Sequence, residues 1–98
     1  MLVALLKEEP DDLFLNYALG LEYAASPDHA GEAEHQFRRV IQTDENYIGA
    51  WYQLGKLLAS RSPEQALEIY RKGLDKARIK GDNKAINEFG EAIFLLEE

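Results

Sequence analysis

The chain contains no cysteine. That removes disulfides, thiolate metal ligands and thiol nucleophiles together, and it fits a reducing compartment. Histidine is almost as scarce. His29 and His35 are the only two, and six positions apart they do not share a helix face. With Glu32 near both they offer a loose surface site at most, far short of a convergent ligand set. Long apolar runs are missing, so no stretch approaches the roughly 20 residues of a membrane-spanning helix. The opening Met1-Leu2-Val3-Ala4-Leu5-Leu6 is short, lacks a basic flank and runs into Lys7-Glu8-Glu9-Pro10, unlike a secretory signal. A soluble, cytoplasmic chain is therefore expected. Basic residues are rare in the first third. Residues 1–34 hold Lys7 against eight acidic side chains, so the net charge of -7 resides there. An acidic surface is a poor match for phosphate backbones, and neither nucleic acid nor membrane is expected as a partner. The chain has no Gly-rich phosphate loop and no His-Glu-x-x-His. Ser26, Thr43, Ser60 and Ser62 fall at expected helix ends, where capping explains them. No catalytic residue, cofactor or metal is assigned.

What is present is enough to build a core: 46% of residues are hydrophobic and 30% are charged. The apolar pattern repeats. Leu19-Gly20-x-x-Tyr23, Leu54-Gly55-x-x-Leu58 and Phe89-Gly90-x-x-Ile93 place the same motif at intervals of 35 residues. Leu2, Leu5 and Leu6 stand one period before Phe37, Val40 and Ile41, and Asn16, Trp51 and Ile86 share one register. Within each unit the spacing is helical, as in Trp51, Leu54 and Leu58 and again in Ala66, Tyr70 and Leu74. The spacing and breakpoints predict helices over 2–8, 12–25, 29–42, 47–60, 63–80 and 83–96.

Several breakpoints carry capping signals. Ser62-Pro63-Glu64-Gln65 reads as N-cap, N1 proline and capping-box partner, and Ser26-Pro27-Asp28 as a similar start. Asp11-Asp12 and Thr43-Asp44 are placed to cap the helices that follow, and Gly81-Asp82 to end one helix and begin the last. Glycine inside a helix costs about 1 kcal/mol relative to alanine. Its recurrence at Gly20, Gly55 and Gly90 implies a compensating close approach of neighbouring helices, with Ala33 and Ala66 on the facing side.

Trp51-x-x-Leu54-Gly55-x-x-Leu58 followed by Ala66-x-x-x-Tyr70 resembles the tetratricopeptide repeat, and Leu19-Gly20-x-x-Tyr23 with Ala33-x-x-x-Phe37 is a second copy. The sequence departs from the motif at Asn16 in place of the large aromatic, Glu45 in place of the junction proline and Gly73 in place of alanine. The resemblance implies an all-α fold, a right-handed α-solenoid of antiparallel helix pairs. It divides a single domain, 1–98, into a leading half unit (1–10), two units (11–45 and 46–81) and a capping helix (82–98).

The resemblance also implies a function. First helices of successive units would line a concave groove that binds a protein or peptide. By register the residues facing it are Phe14, Tyr17, Leu21 and Ala24, then Tyr52, Gln53, Lys56 and Ala59, then Lys84, Asn87, Glu91 and Phe94. The lysine–asparagine clamp that some family members use for a chaperone's carboxylates is not inherited, because Tyr17 and Leu21 stand there. The alternative expectation is a structural self-association element, a homodimer through the terminal helices. Arg71–Lys84 is locally basic and could pair with the acidic first third of another copy.

Overall fold

Six α-helices and one 3-10 turn account for most of residues 2–97, the part of the chain that the structure, a computed structural model, describes. They are α1 (Leu2–Glu8), α2 (Leu13–Ala24), α3 (Ala30–Thr43), α4 (Ile48–Ala59), α5 (Pro63–Lys80) and α6 (Asn83–Glu97), with the 3-10 turn Pro27–His29 leading into α3. No strand occurs among the described residues. The expected helices fall within a residue or so of these bounds, and the chain is an all-α helical repeat. It divides into two compact units, Met1–Ala50 and Trp51–Glu98.

In the first unit, α2 begins at Asp12, whose carboxylate accepts the Leu15 amide at 2.8 Å. One turn on, Asn16 is buried and its amide nitrogen donates to the carbonyls of Pro10 and Asp12, each at 2.9 Å. The departure from the aromatic pattern is thus used to close the α1–α2 junction, and both bonds compensate for burying a polar group. Helices α2 and α3 pack together around Leu19, Ala33, Phe37 and Val40. Phe37 is fully buried, and its ring fills the space that a β-carbon at Gly20 would enter, 2.6 Å from such an atom.

Two expected caps are corrected here. Ser26 precedes the 3-10 turn but its side chain makes no capping bond; the proline-led turn itself carries the chain into α3 at Ala30. Asp44 does not cap α4, which starts only at Ile48. Its carboxylate instead accepts the Asn46 amide at 3.0 Å in a local Asx turn, and the Thr43 hydroxyl donates back to the Arg39 carbonyl at 2.9 Å.

The second unit holds most of α4 together with α5 and α6. Helix α5 starts at Pro63 as expected, yet the Ser62 side chain makes no capping bond. Its backbone instead joins the two helices: the Ser62 amide donates to the Leu58 carbonyl at 2.7 Å at the end of α4, and its carbonyl accepts from the Ala66 amide at 2.9 Å as the first bond of α5. At the other end Gly81 sits at φ 74, the left-handed conformation that only glycine adopts without strain. The Asp82 amide returns to the Ala77 carbonyl at 3.0 Å, closing a Schellman-type end, and the Asp82 carboxylate accepts the Ala85 amide at 3.0 Å to start α6.

The core of this unit is aromatic. Tyr70 and Phe89 meet edge to face at 6.2 Å, and Tyr52 packs on both at 5.9 and 5.6 Å. Tyr70 occupies the place of a Gly55 β-carbon, at 2.3 Å. A β-carbon at Gly73 would lie 2.6 Å from the Phe89 ring and 2.8 Å from the Trp51 β-carbon, which accounts for glycine where alanine is usual. The residues that Gly20 and Gly55 admit are therefore the rings of Phe37 and Tyr70, with Ala33 and Ala66 fully buried near them in sequence. Gly90 breaks the pattern. It is exposed, and nothing lies within 4 Å of where its β-carbon would stand, so the close approach expected there is absent.

Candidate functional site

Phe14, Tyr17, Leu21 and Ala24 fall at i, i+3, i+7 and i+10 of α2, one face of the helix. Phe14 is 69% exposed and Leu21 41%. Between them Tyr17 is half-buried, because its ring packs on Tyr47 at 5.1 Å and on Phe37 at 5.8 Å. Ala24 is half-buried as well. The first unit therefore presents two open apolar side chains flanking a tyrosine that the core holds rigid. Tyr47, which sequence reasoning did not single out, forms that buttress. Beside it Gly49 leaves room for the Tyr17 hydroxyl, which would lie 3.0 Å from a β-carbon at that position. Burial, reinforced by the Asp12 carboxylate, pushes the Tyr47 phenol above its usual range.

In the second unit the corresponding α4 face shows a half-buried Tyr52 and Gln53 and an exposed Lys56. Tyr52 belongs more to the core than the sequence pattern implies, since its ring rests against Tyr70 and Phe89. On α6, Lys84, Asn87, Glu91 and Phe94 are all exposed, Phe94 at 65%. Burial, and then the neighbouring Tyr52, push the Tyr70 phenol to about 12.

Sequence reasoning also missed a cleft of about 300 Å³ among α1, α2 and α3, lined by Leu6, Leu19, Tyr23, Gln36 and Arg39 among others. The side-chain carbonyl oxygen of Gln36 is buried without a hydrogen-bond partner among the described residues. No spacing rule marks this glutamine, whose position follows from the way α3 meets its neighbours.

The histidine region resolves into a surface pair. His29 Nδ1 lies 3.1 Å from the Glu32 carboxylate, which that hydrogen bond holds below its usual range; both side chains are about half exposed. Among the described residues no three His, Asp or Glu side chains converge as a metal would require, and no helix is long and apolar enough to cross a membrane. Part of the basic stretch is engaged within its own unit: Arg71 with Glu97 at 2.6 Å, Lys72 with Glu68 at 3.2 Å and Arg78 with Asp75 at 3.9 Å.

No protein-family model and no curated protein sequence matches the chain. Solved structures do. The crystal structure of a tetratricopeptide repeat domain protein from Salinibacter ruber is 33% identical with a TM-score of 0.80, over 88% of this chain and 97% of that one. A solution structure of a tetratricopeptide repeat domain protein from the same organism gives 34% identity and a TM-score of 0.82, over 90% and 89%. A solution structure of a Bordetella parapertussis protein is 28% identical with a TM-score of 0.85, over 98% and 84%.

Proposed function

The chain belongs to the tetratricopeptide repeat family, and from that premise we propose that it is a protein-binding module, not an enzyme, which holds a short apolar or amphipathic segment of another protein against the exposed face of α2. The observation that carries this reading is on α2. Phe14 and Leu21 stand open to solvent on one helix face, on either side of a tyrosine immobilised by Phe37 and Tyr47. Large side chains held on a rigid element dominate interface energetics, because little conformational entropy is lost when they are covered. The α4 face (Tyr52, Gln53, Lys56) and the α6 face (Asn87, Glu91) of the second unit are more polar.

The test is affinity capture from native lysate with wild type and with Phe14→Ala/Leu21→Ala. Both side chains are exposed, so the variant should keep the wild-type circular dichroism spectrum and melting temperature. Proteins retained by wild type and lost from the variant support the reading, and equal recovery refutes it. Tyr17 and Tyr52 are poorer probes, since truncating either would also loosen the core. The second reading, self-association through the terminal helices, draws support from α6, where Phe94 and the Gly90 surface are open. It predicts a mass that rises with concentration, and a constant monomer mass would oppose it.

A further inference from the structure

We infer that the segment held by the α2 face is a basic amphipathic helix, with apolar side chains along one stripe and lysine or arginine on its flanks. This rests on the peptide-binding reading and adds to it the charge and the conformation of the partner.

The charge follows from where the chain keeps its own. Between Met1 and Ala50 ten acidic side chains face Lys7, Arg38 and Arg39 alone, so this unit carries the whole net charge of -7 and Trp51–Glu98 is neutral. Helix α2 has no basic residue at all. Acidic groups stand at both ends of its apolar stripe. Asp11, its side chain 85% exposed, lies three residues before Phe14, and the exposed Glu22 directly follows Leu21. At mid-stripe the Asp12 carboxylate is close enough to the Tyr47 phenol to help raise it, and Tyr47 is the ring that buttresses Tyr17. The two arginines lie on α3, where Arg38 pairs with Glu34 at 2.9 Å and Arg39 reaches Asp11 only at 3.5 Å. Glu22 forms no ion pair among the described residues. This field repels an anionic segment, and it draws in a cationic one and holds it at the rim.

The conformation follows from what the face lacks. Phe14, Leu21 and Ala24 carry no polar side-chain atom, Tyr17 carries one hydroxyl, and the α2 backbone beneath them is bonded within the helix. An extended segment laid here would cover its own amide and carbonyl groups without partners, whereas a helix arrives with them already paired. The spacing agrees. Phe14 and Leu21 are two turns apart, about 10 Å at the helical rise, so apolar residues at i, i+3 or i+4, and i+7 of a partner helix would cover the stripe. A second copy of this chain is the poorer occupant. Its basic stretch lies in a neutral unit, where Arg71, Lys72 and Arg78 each meet a carboxylate of that unit.

The test is display selection from a random library of peptides about 15 residues long, enough for a stable helix, on wild type with counter-selection on Phe14→Ala/Leu21→Ala. The expected winners are richer in lysine and arginine than the unselected library and carry apolar residues at helical spacing. A synthetic winner should gain helical circular dichroism on binding. Asp11→Asn/Glu22→Gln should keep the wild-type melting temperature, since both side chains are exposed. By fluorescence anisotropy it should bind that peptide about fivefold more weakly at about 50 mM salt, and the gap should shrink at about 500 mM. If no selected peptide depends on Phe14 and Leu21, the peptide-binding reading fails and this inference with it. Neutral or acidic winners, winners that bind without becoming helical, or unchanged affinity in the neutralised variant overturn the basic helix alone and leave the face a binding site. A wild-type mass that rises with concentration, and returns to the monomer in Phe14→Ala/Leu21→Ala, gives the face to a second copy and also overturns the inference.

Discussion

Alanine should raise stability at Gly90 but leave it unchanged or lower it at Gly55, although the two positions share one place in the repeat and one compact unit. Both substitutions gain the same intrinsic term, about 1 kcal/mol from removing a helical glycine. At Gly90 nothing lies within 4 Å of the added carbon, so that gain should appear nearly whole. At Gly55 the new carbon would meet three atoms of the Tyr70 ring at 2.3, 2.5 and 2.9 Å. The ring cannot swing away, because Tyr70 is 3% exposed and wedged against Tyr52 and Phe89. Overpacking of this kind costs about 1–3 kcal/mol, which cancels or exceeds the propensity gain. The two variants should therefore differ by roughly 2 kcal/mol, on the order of 10 °C in melting temperature for a domain of this size. The assay is thermal and urea unfolding followed by far-ultraviolet circular dichroism, at concentrations where the chain is monomeric. Gly55→Ala melting as high as Gly90→Ala would refute the packing argument. Gly20→Ala, facing the fully buried Phe37 ring at 2.6 Å, should behave like Gly55→Ala.

Other substitutions test the rest of the account. Trp51→Ala should destabilise the second unit by about 3–5 kcal/mol, since the side chain is buried and Gly73 packs directly against its β-carbon; an unchanged urea midpoint would contradict its core assignment. Asn16→Ala strands the Pro10 carbonyl and removes one bond to Asp12, and should cost roughly 1–3 kcal/mol by urea titration, with faster amide exchange at the start of α2. Tyr70 makes stability depend on alkaline pH. Its phenol is raised from 10.0 to about 12, so below pH 10 its contribution is fully present. Between those values the unfolded chain gives up the proton while the folded chain keeps it, and stability falls as pH rises. Tyr70→Phe should blunt that fall, and an identical decline in the variant would rule out Tyr70 as its source.

The repeat was readable because its signals are local or strictly periodic. Leu19-Gly20 and Leu54-Gly55, the apolar spacing within each helix and the Gly81-Asp82 break each act over a few residues, and together they placed the helices. What escaped the sequence depends on which side chain turns toward which. Asp44 and Asp12 both precede helices, yet only Asp12 caps one, because the chain after Asp44 first closes an Asx turn. Ser62 has the sequence of an N-cap, yet its side chain makes no capping bond. Gly73 departs from the motif because Phe89 and Trp51 occupy the space that an alanine methyl would need.

The proposed face on α2 was legible in the same partial way. Periodicity assigned Phe14, Tyr17, Leu21 and Ala24 to one face, but it could not show that Tyr17 would lean into Tyr47 and Phe37 while Phe14 and Leu21 stayed open. Gly90 is the counterpart: it shares the motif position of Gly20 and Gly55, yet it is exposed and no ring among the described residues stands against it.

The most direct test of the central claim, that the α2 face holds a protein partner, is site-specific photocrosslinking in native lysate. A photoreactive residue would replace Phe14 in one protein and the exposed Glu68 of α5 in another. The account predicts a discrete crosslinked protein from position 14, suppressed by Leu21→Ala and absent from position 68. The same adducts from both positions, or adducts from position 68 alone, would contradict it.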